Sequence, residues 1–320
     1  MGADVPAASA RVLRSGWFKP DLVARLDRDY GALAVPDDER RESFLATHAD
    51  AEVLVVSGRT GAPGDMMRAL PRLRAVINHG VGVERTDLAH AAAAGIQVAN
   101  TPDVLTDCVA DAAVAMLLDV MRGISAADRF VRRGAWASGE SYPLTRKVTG
   151  ARVGILGLGR IGRAIARRLE GFDVALSYHN RSARDDVPYR YADSVVELAR
   201  EADLLVVAAT GGAGTSRLVD RSVLDALGPH GFLVNIARAS VVDEELMVAM
   251  LADGRLGGAA LDVFEREPQV PEGLLALDNV VLLPHLGSGT VETREAIARS
   301  VLANLEAFLS TGAVLTPVRS

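Results

Sequence analysis

The 320-residue chain has one cysteine, Cys108. A single thiol excludes an intrachain disulfide and any metal site built from several cysteines, so no metal is expected. It fits a reducing, cytoplasmic setting. No hydrophobic run is long enough to span a bilayer. The most apolar stretch, 109–121, is short and carries Asp111 and Asp119, whereas a membrane helix needs about 20 apolar residues. The N-terminal MGADVPAASARVLR lacks the basic-then-apolar order of a secretory signal, and Asp4 tells against a transit peptide. Internal repeats are absent, as is any low-complexity tract beyond a mild alanine bias. Excess positive charge is missing too. A formal net charge of -6 argues against a general nucleic-acid binder, though not against one local basic pocket.

What is present is a chain with 49% hydrophobic and 24% charged residues, which suits a soluble protein of about two domains. Short Val/Leu/Ile runs alternate with Ala- and Arg-rich helical stretches. Buried strands are read at 51–57, 74–77, 95–100, 151–157, 173–178, 202–209, 232–237, 258–264 and 279–284. Continuous apolar strands separated by helices imply an α/β protein with parallel sheets covered on both faces. A long helix is read over 109–131, a loop-rich exposed arm carrying Trp136 over 132–150, and a last helix at roughly 291–309.

GLGRIG (157–162) follows the strand ARVGIL and opens the helix RAIARRL. In that context the glycines permit a tight turn, close backbone approach to a pyrophosphate, and helix–strand packing. The helix N-terminus offers free N–H groups to the anion. Gly157, Leu158, Gly159, Arg160 and Ile161 are therefore cofactor-binding candidates. About twenty residues further on, an Asp or Glu usually accepts the ribose hydroxyls of NAD. That acid is absent, and His179, Asn180 and Arg181 stand there. The substitution removes a charge that would repel a 2′-phosphate. Arg181 supplies a planar, permanent cation suited to phosphate. Asn180 and Ser182 add neutral hydrogen bonds, and Arg184 adds field. The stretch thus reads as selecting NADP(H), with NAD(H) as the second choice.

In open parallel sheets ligands bind outside the carboxyl ends of the strands. Past three later strands come Arg238, then Glu265, Arg266 and Glu267, then His285. A carboxylate can hold an imidazole in one tautomer, and a protonated histidine can give its proton to a carbonyl oxygen. An arginine grips a carboxylate and polarises the carbonyl beside it. With hydride from a nicotinamide, this set reduces a 2-keto acid to a 2-hydroxy acid.

The motifs NTPDVLTDCVADAA (100–113), GILGLGRIG (154–162), NIARAS (235–240), GGAALDVFEREP (257–268) and LLPHLGSGT (282–290) occur in this order. Along nearly its whole length the chain resembles the D-isomer-specific 2-hydroxyacid dehydrogenases. RRGAW, HNR, DVFEREPQVPE and VVLLPHLGSGTVETR look most like the glyoxylate/hydroxypyruvate and hydroxyphenylpyruvate reductase branch, which mostly prefers NADPH. The resemblance implies two doubly wound domains, Rossmann-like and flavodoxin-like, with the active site in the cleft between them. It implies a substrate domain at 1–102 plus 287–320 and a dinucleotide-binding domain at 103–286. Arg238 would bind the substrate carboxylate and carbonyl. Glu267 would pair with the histidine in preference to Glu265, and His285 would be the acid/base. Asp262 would hold the nicotinamide carboxamide, and Ile236 would line the cofactor. The backbone amides of Val81 and Gly82 would meet the substrate carboxylate. Members are usually homodimers, here through the helix and arm at about 109–150. Trp136 would either reach the neighbour's active site or anchor the dimer seam.

Four departures stand out. Ala239 replaces a usual glycine, which suggests an altered turn beside Arg238. AATGGAGTSRL (208–218) brings glycines to a loop near the cofactor, which suggests greater mobility. His79 stands where relatives often carry an aromatic or small residue, and it reads as a polar turn residue in preference to a substrate contact. Cys108 replaces a frequent acid and reads as a helix-packing thiol. Among other activities of this scaffold, Glu267 counts against a formate-type enzyme, which carries Gln there. A phosphite oxidiser and a cofactor-sensing corepressor both keep the trio. The 2′-phosphate site and the lack of a long polar tail argue against the corepressor.

Overall fold

The computed structural model describes residues 11–318. The N-terminal segment read for targeting signals lies, through residue 10, outside the described residues, as do the outermost ends of the expected substrate domain. The chain divides into two compact units, one of Met1–Val104 with Val291–Ser320 and one of Leu105–Thr290.

The first unit holds five parallel strands: β1 (Val12–Ser15), β2 (Leu33–Ala34), β3 (Val53–Ser57), β4 (Ala75–His79) and β5 (Gln97–Ala99). Their spatial order is β2-β1-β3-β4-β5, the flavodoxin-like winding. Side chains alternate faces along a strand. Leu13, Leu54, Val56 and Val76 therefore enter one core with Met66, Met67 and Leu70. Val12, Val53, Val55 and Ile77 enter the other, against Val301, Leu305 and Phe308 of the helix Val291–Thr311. Burial on both faces explains why β3 is apolar at four successive positions, each large aliphatic contributing about 1.5–3 kcal/mol.

The second unit holds seven parallel strands: β6 (Arg152–Leu156), β7 (Ala175–His179), β8 (Arg190–Tyr191), β9 (Leu204–Val207), β10 (Phe232–Asn235), β11 (Gly258–Leu261) and β12 (Val280–Leu282). The order is β12-β11-β10-β9-β6-β7-β8. Winding proceeds outward from β6 through β7 to β8, then restarts on the other side at β9. The point of reversal, outside the carboxyl ends of β6 and β9, is where such sheets take ligands. Two doubly wound parallel sheets are the architecture expected from the sequence.

Three strands escaped the sequence reading. β1 is short and ends in Arg-Ser, and β2 and β8 are two-residue edge strands, so none shows a continuous apolar run. The single helix expected over 109–131 is two, Thr106–Arg122 and Ile124–Arg132. Gly123 breaks it with a left-handed φ of 60°, a conformation glycine adopts without penalty. Beyond the second helix lies the arm, where Trp136 and Leu144 are exposed. Among the described residues no helix is long and apolar enough to cross a membrane.

Candidate active site

The glycine loop joins β6 to the helix Arg160–Leu169. Gly157 has φ +96°, and a Cβ there would sit 2.6 Å from the backbone nitrogen of Ala209. A Cβ at Gly162 would lie 2.2 Å from the carbonyl oxygen of Gly157. Packing thus dictates both of these glycines. Gly159 differs: a Cβ there meets nothing within 4 Å, and its φ of -81° suits any residue. Protein packing does not explain this glycine, and the space beside its backbone is open. The helix start carries no side-chain cap, so its first N–H groups are left for an anion. The loop fits a dinucleotide pyrophosphate.

Asn180 follows directly on the end of β7, which runs one residue beyond the expected stop, to His179. Its Oδ1 accepts the Leu158 N–H at 2.7 Å. His179 turns inward, its Nδ1 lying 2.8 Å from the Ala192 carbonyl oxygen. Arg181 and Ser182 are exposed, and among the described residues Arg181 has no hydrogen-bond or ion-pair partner. Arg184 was expected to add positive field, but Asp186 offsets it. Asp186 binds Arg184 Nε at 2.9 Å and Arg163 Nη2 at 2.6 Å. These two arginines hold its carboxyl far below the usual carboxylate range. The free cation of this loop is therefore Arg181.

The carboxyl ends of the adjacent strands β10, β11 and β12 bear the polar groups expected there. Closing β10, Asn235 is 2% exposed and shapes the next turn. Its Oδ1 accepts the Ala237 N–H at 3.0 Å and its Nδ2 donates to the Arg238 carbonyl at 3.1 Å. Ile236 is buried in this turn. Arg238 is half-buried, with Nη1 donating to the Ala237 carbonyl at 2.7 Å. Ala239 begins a 3-10 turn, Ala239–Val241, and is not among the residues of positive φ. The turn needs no glycine, so the alanine leaves it intact.

β11 ends at Leu261, three residues short of the expected 264, which puts Asp262 at the rim. Asp262 accepts the N–H groups of Leu286 and, at 2.8 Å, Gly287. It is 2% exposed, and burial raises its pKa against the opposing effect of those two amides. A Cβ at Gly287 would lie 2.9 Å from Asp262 Oδ2, so the glycine admits the carboxylate. The clasp fixes the turn on which His285 sits with φ 55°, a conformation costly for a residue with a side chain. Glu267 meets His285 Nδ1 at 3.0 and 2.9 Å through its two oxygens. Glu265 is exposed, and its N–H goes to Glu244 Oε2 at 3.1 Å. Burial pushes the pKa of Glu244 up.

In the first unit, β4 runs into Gly80, Val81 and Gly82. The Gly80 carbonyl accepts the Thr101 N–H at 3.0 Å and the Val81 carbonyl accepts Asn100 Nδ2 at 2.8 Å. With the carbonyls tied down, the amides of Val81 and Gly82 have no backbone acceptor among the described residues. The turn thus presents two unspent donors, the chemistry that an anion cradle requires. The second glycine-rich loop closes on itself, Thr215 Oγ1 donating to the Thr210 carbonyl at 2.7 Å. Cys108 lies with its sulfur 3.6 Å from Thr290 Oγ1.

Residues 114–287 match the family profile described as D-isomer specific 2-hydroxyacid dehydrogenase, NAD binding domain. Hydroxyphenylpyruvate reductase of Plectranthus scutellarioides is 49% identical over 298 residues, 93% of this chain and 95% of that protein. The chain belongs to the D-isomer-specific 2-hydroxyacid dehydrogenase family. As a member it is an oxidoreductase. A glyoxylate/hydroxypyruvate reductase of Arabidopsis thaliana is 47% identical over the same shares of the two chains. Among solved structures, the NADPH-dependent glyoxylate/hydroxypyruvate reductase from Sinorhizobium meliloti, in complex with NADP and malonate, is 42% identical. It matches with a TM-score of 0.90 over 97% of each chain.

Sequence reasoning missed the supports of the candidate residues: Asn235 under Arg238 and Glu244 behind the Glu267 loop in the second unit, and Asn100 under Val81 in the first. Only Asn235 gave a signal, as a polar residue closing an otherwise apolar strand.

Proposed function

We propose that the protein reduces 2-keto acids (glyoxylate, hydroxypyruvate and hydroxyphenylpyruvate) to D-2-hydroxy acids, with NADPH preferred over NADH. The observation that carries this reading is the two-oxygen grip of Glu267 on His285 Nδ1. That grip leaves Nε2 as the ring nitrogen for substrate, with its tautomer and orientation set. When bound, the nicotinamide supplies hydride to the carbonyl carbon. The Nε2 proton of His285 goes to the carbonyl oxygen. Arg238 binds the substrate carboxylate and draws charge from the carbonyl. The amides of Val81 and Gly82 take the same carboxylate.

Gly157, Leu158, Gly159, Arg160 and Ile161 form the pyrophosphate loop. Ile236 lines the ring site, and Asp262, beyond its clasp on residues 286 and 287, receives the carboxamide. Asn180, Arg181 and Ser182 surround the 2′-phosphate, which the unpaired Arg181 and the missing acid both favour. The substrate domain is 1–102 plus 287–320 and the dinucleotide domain 103–286. The protein acts in the cytoplasm as a homodimer joined through 109–150. The exposure of the large apolar side chains Ile124, Val131, Trp136 and Leu144 within this stretch supports that seam. Trp136 either anchors the seam or reaches the neighbouring subunit's site.

The test is oxidation of NADPH and NADH by the purified protein, as kcat/KM against the three acids. Fast turnover with NADPH is expected, and no turnover with any of them would overturn the reading.

A further inference from the structure

His79 is absorbed by none of the roles above. It is the last residue of β4, paired in register with Ser57 of β3, at the carboxyl edge of its sheet. Its ring is locked edge-to-face on Phe18, with centroids 5.6 Å apart and planes at 83°. Phe18 is itself buried, 3% exposed. Among the described residues the imidazole nitrogens have no hydrogen-bond partner outside their own residue. Burial, reinforced by the positive charge of Arg294, lowers its pKa to about 4. The ring is neutral at working pH. It offers one N–H donor and one nitrogen acceptor, neither of them spent on another residue among those described.

Two residues later come the amides assigned above to the substrate carboxylate. The intervening backbone spans at most about 7 Å, the reach of a three-carbon acid with its hydrogen bonds. We infer that His79 is the specificity-determining residue for the group on C3 of the substrate, pairing with a hydroxyl there and so favouring 3-hydroxylated 2-keto acids. This rests on the proposed reduction of 2-keto acids and narrows its substrate class.

The chemistry follows from the donor and acceptor count. A hydroxyl gives one hydrogen bond and accepts another, as a neutral imidazole does. A methyl at the same place gives the ring nitrogens no partner and keeps water from them, which costs more than a made bond gains. Glyoxylate has no C3 and is indifferent to the ring. A carboxylate on C3 gains less, because a neutral ring offers it only one donor.

The experiment compares kcat/KM for hydroxypyruvate, pyruvate and glyoxylate in the unaltered protein, His79→Phe and His79→Gln. The hydroxypyruvate-to-pyruvate ratio is expected to fall about tenfold in the Phe variant. Glyoxylate turnover should change less than about threefold, and Gln, which keeps a donor and an acceptor, should recover part of the ratio. Calorimetric binding of D-glycerate and D-lactate to the NADP+-loaded protein should shift in the same direction, which gives a readout independent of turnover. A ratio that ignores His79, or a parallel loss on glyoxylate, would overturn the assignment. Failure of the unaltered protein on all keto acids would instead sink the proposed reaction.

Discussion

The two carboxylate oxygens of Glu267 bracket Nδ1 of His285, at 3.0 and 2.9 Å, and Oε1 also receives the Phe264 N–H at 3.3 Å. The acid is held by its own loop and in turn holds the imidazole. Glu267→Gln keeps the shape and removes the charge that steadies the protonated ring. Its kcat should fall about 10–100-fold with the affinity for NADPH unchanged, while His285→Ala should lose about 10²–10⁴-fold. Stopped-flow turnover and fluorescence titration with NADPH separate the two effects. Near-normal turnover in His285→Ala would remove the histidine from its role.

Arg181 is the unpaired cation where the usual acid is missing. Its truncation to alanine should lower kcat/KM for NADPH about 10–100-fold, the worth of a charge-assisted hydrogen bond. The value for NADH should stay within about twofold, because that cofactor has no 2′-phosphate. If the ratio of the two did not move, the loop would be an ordinary solvated turn.

Gly159 and Gly162 make a matched pair. Alanine at 162 collides with the Gly157 carbonyl, whereas alanine at 159 meets no protein atom. Gly162→Ala should therefore lower stability by about 1–3 kcal/mol. Gly159→Ala should leave the unfolding midpoint of the free protein in place, or raise it slightly, while weakening NADPH binding more than about tenfold. Denaturant titration with and without cofactor decides. Normal NADPH affinity in Gly159→Ala would mean that the pyrophosphate does not lie there.

The buried His79 links stability to pH. Its folded pKa of about 4 lies below the ordinary 6.5, so between these values the unfolded chain binds a proton that the folded one refuses. Its contribution is intact above pH 6.5, falls as the pH drops, and levels off below 4. Between pH 7 and 5 the loss is about 2 kcal/mol. His79→Phe should lack this component. Between pH 7 and 5 the denaturant midpoint of the unaltered protein should thus fall further than that of His79→Phe, and parallel losses would refute the linkage.

Much of this was readable from the sequence, for reasons that differ by residue. Strands buried on both faces, such as β3 and β9, announce themselves as apolar runs because sheets covered by helices leave no polar face. The edge strands β2 and β8 do not, since two residues carry no period. Glu267, His285 and Arg238 were legible because each follows a strand end. Asn100 and Glu244 were not, because they act through backbone amides and carbonyls of other segments, a partnership that no local pattern encodes. Gly123 was visible as a residue but not as a break. A glycine inside an alanine-rich run ends a helix only when the following segment packs in another direction.

The bond from Leu158 to Asn180 ties the phosphate loop to the residue that stands in for the missing acid. An aspartate is nearly the same size as an asparagine and accepts the same N–H. Replacing one amide nitrogen with oxygen at position 180 would keep the loop in shape while restoring the negative charge that the ribose hydroxyls of NAD call for. The charge at this point of the loop thus turns on a single amide-to-carboxylate change. A change of charge at position 180 therefore leaves the glycine turn in place.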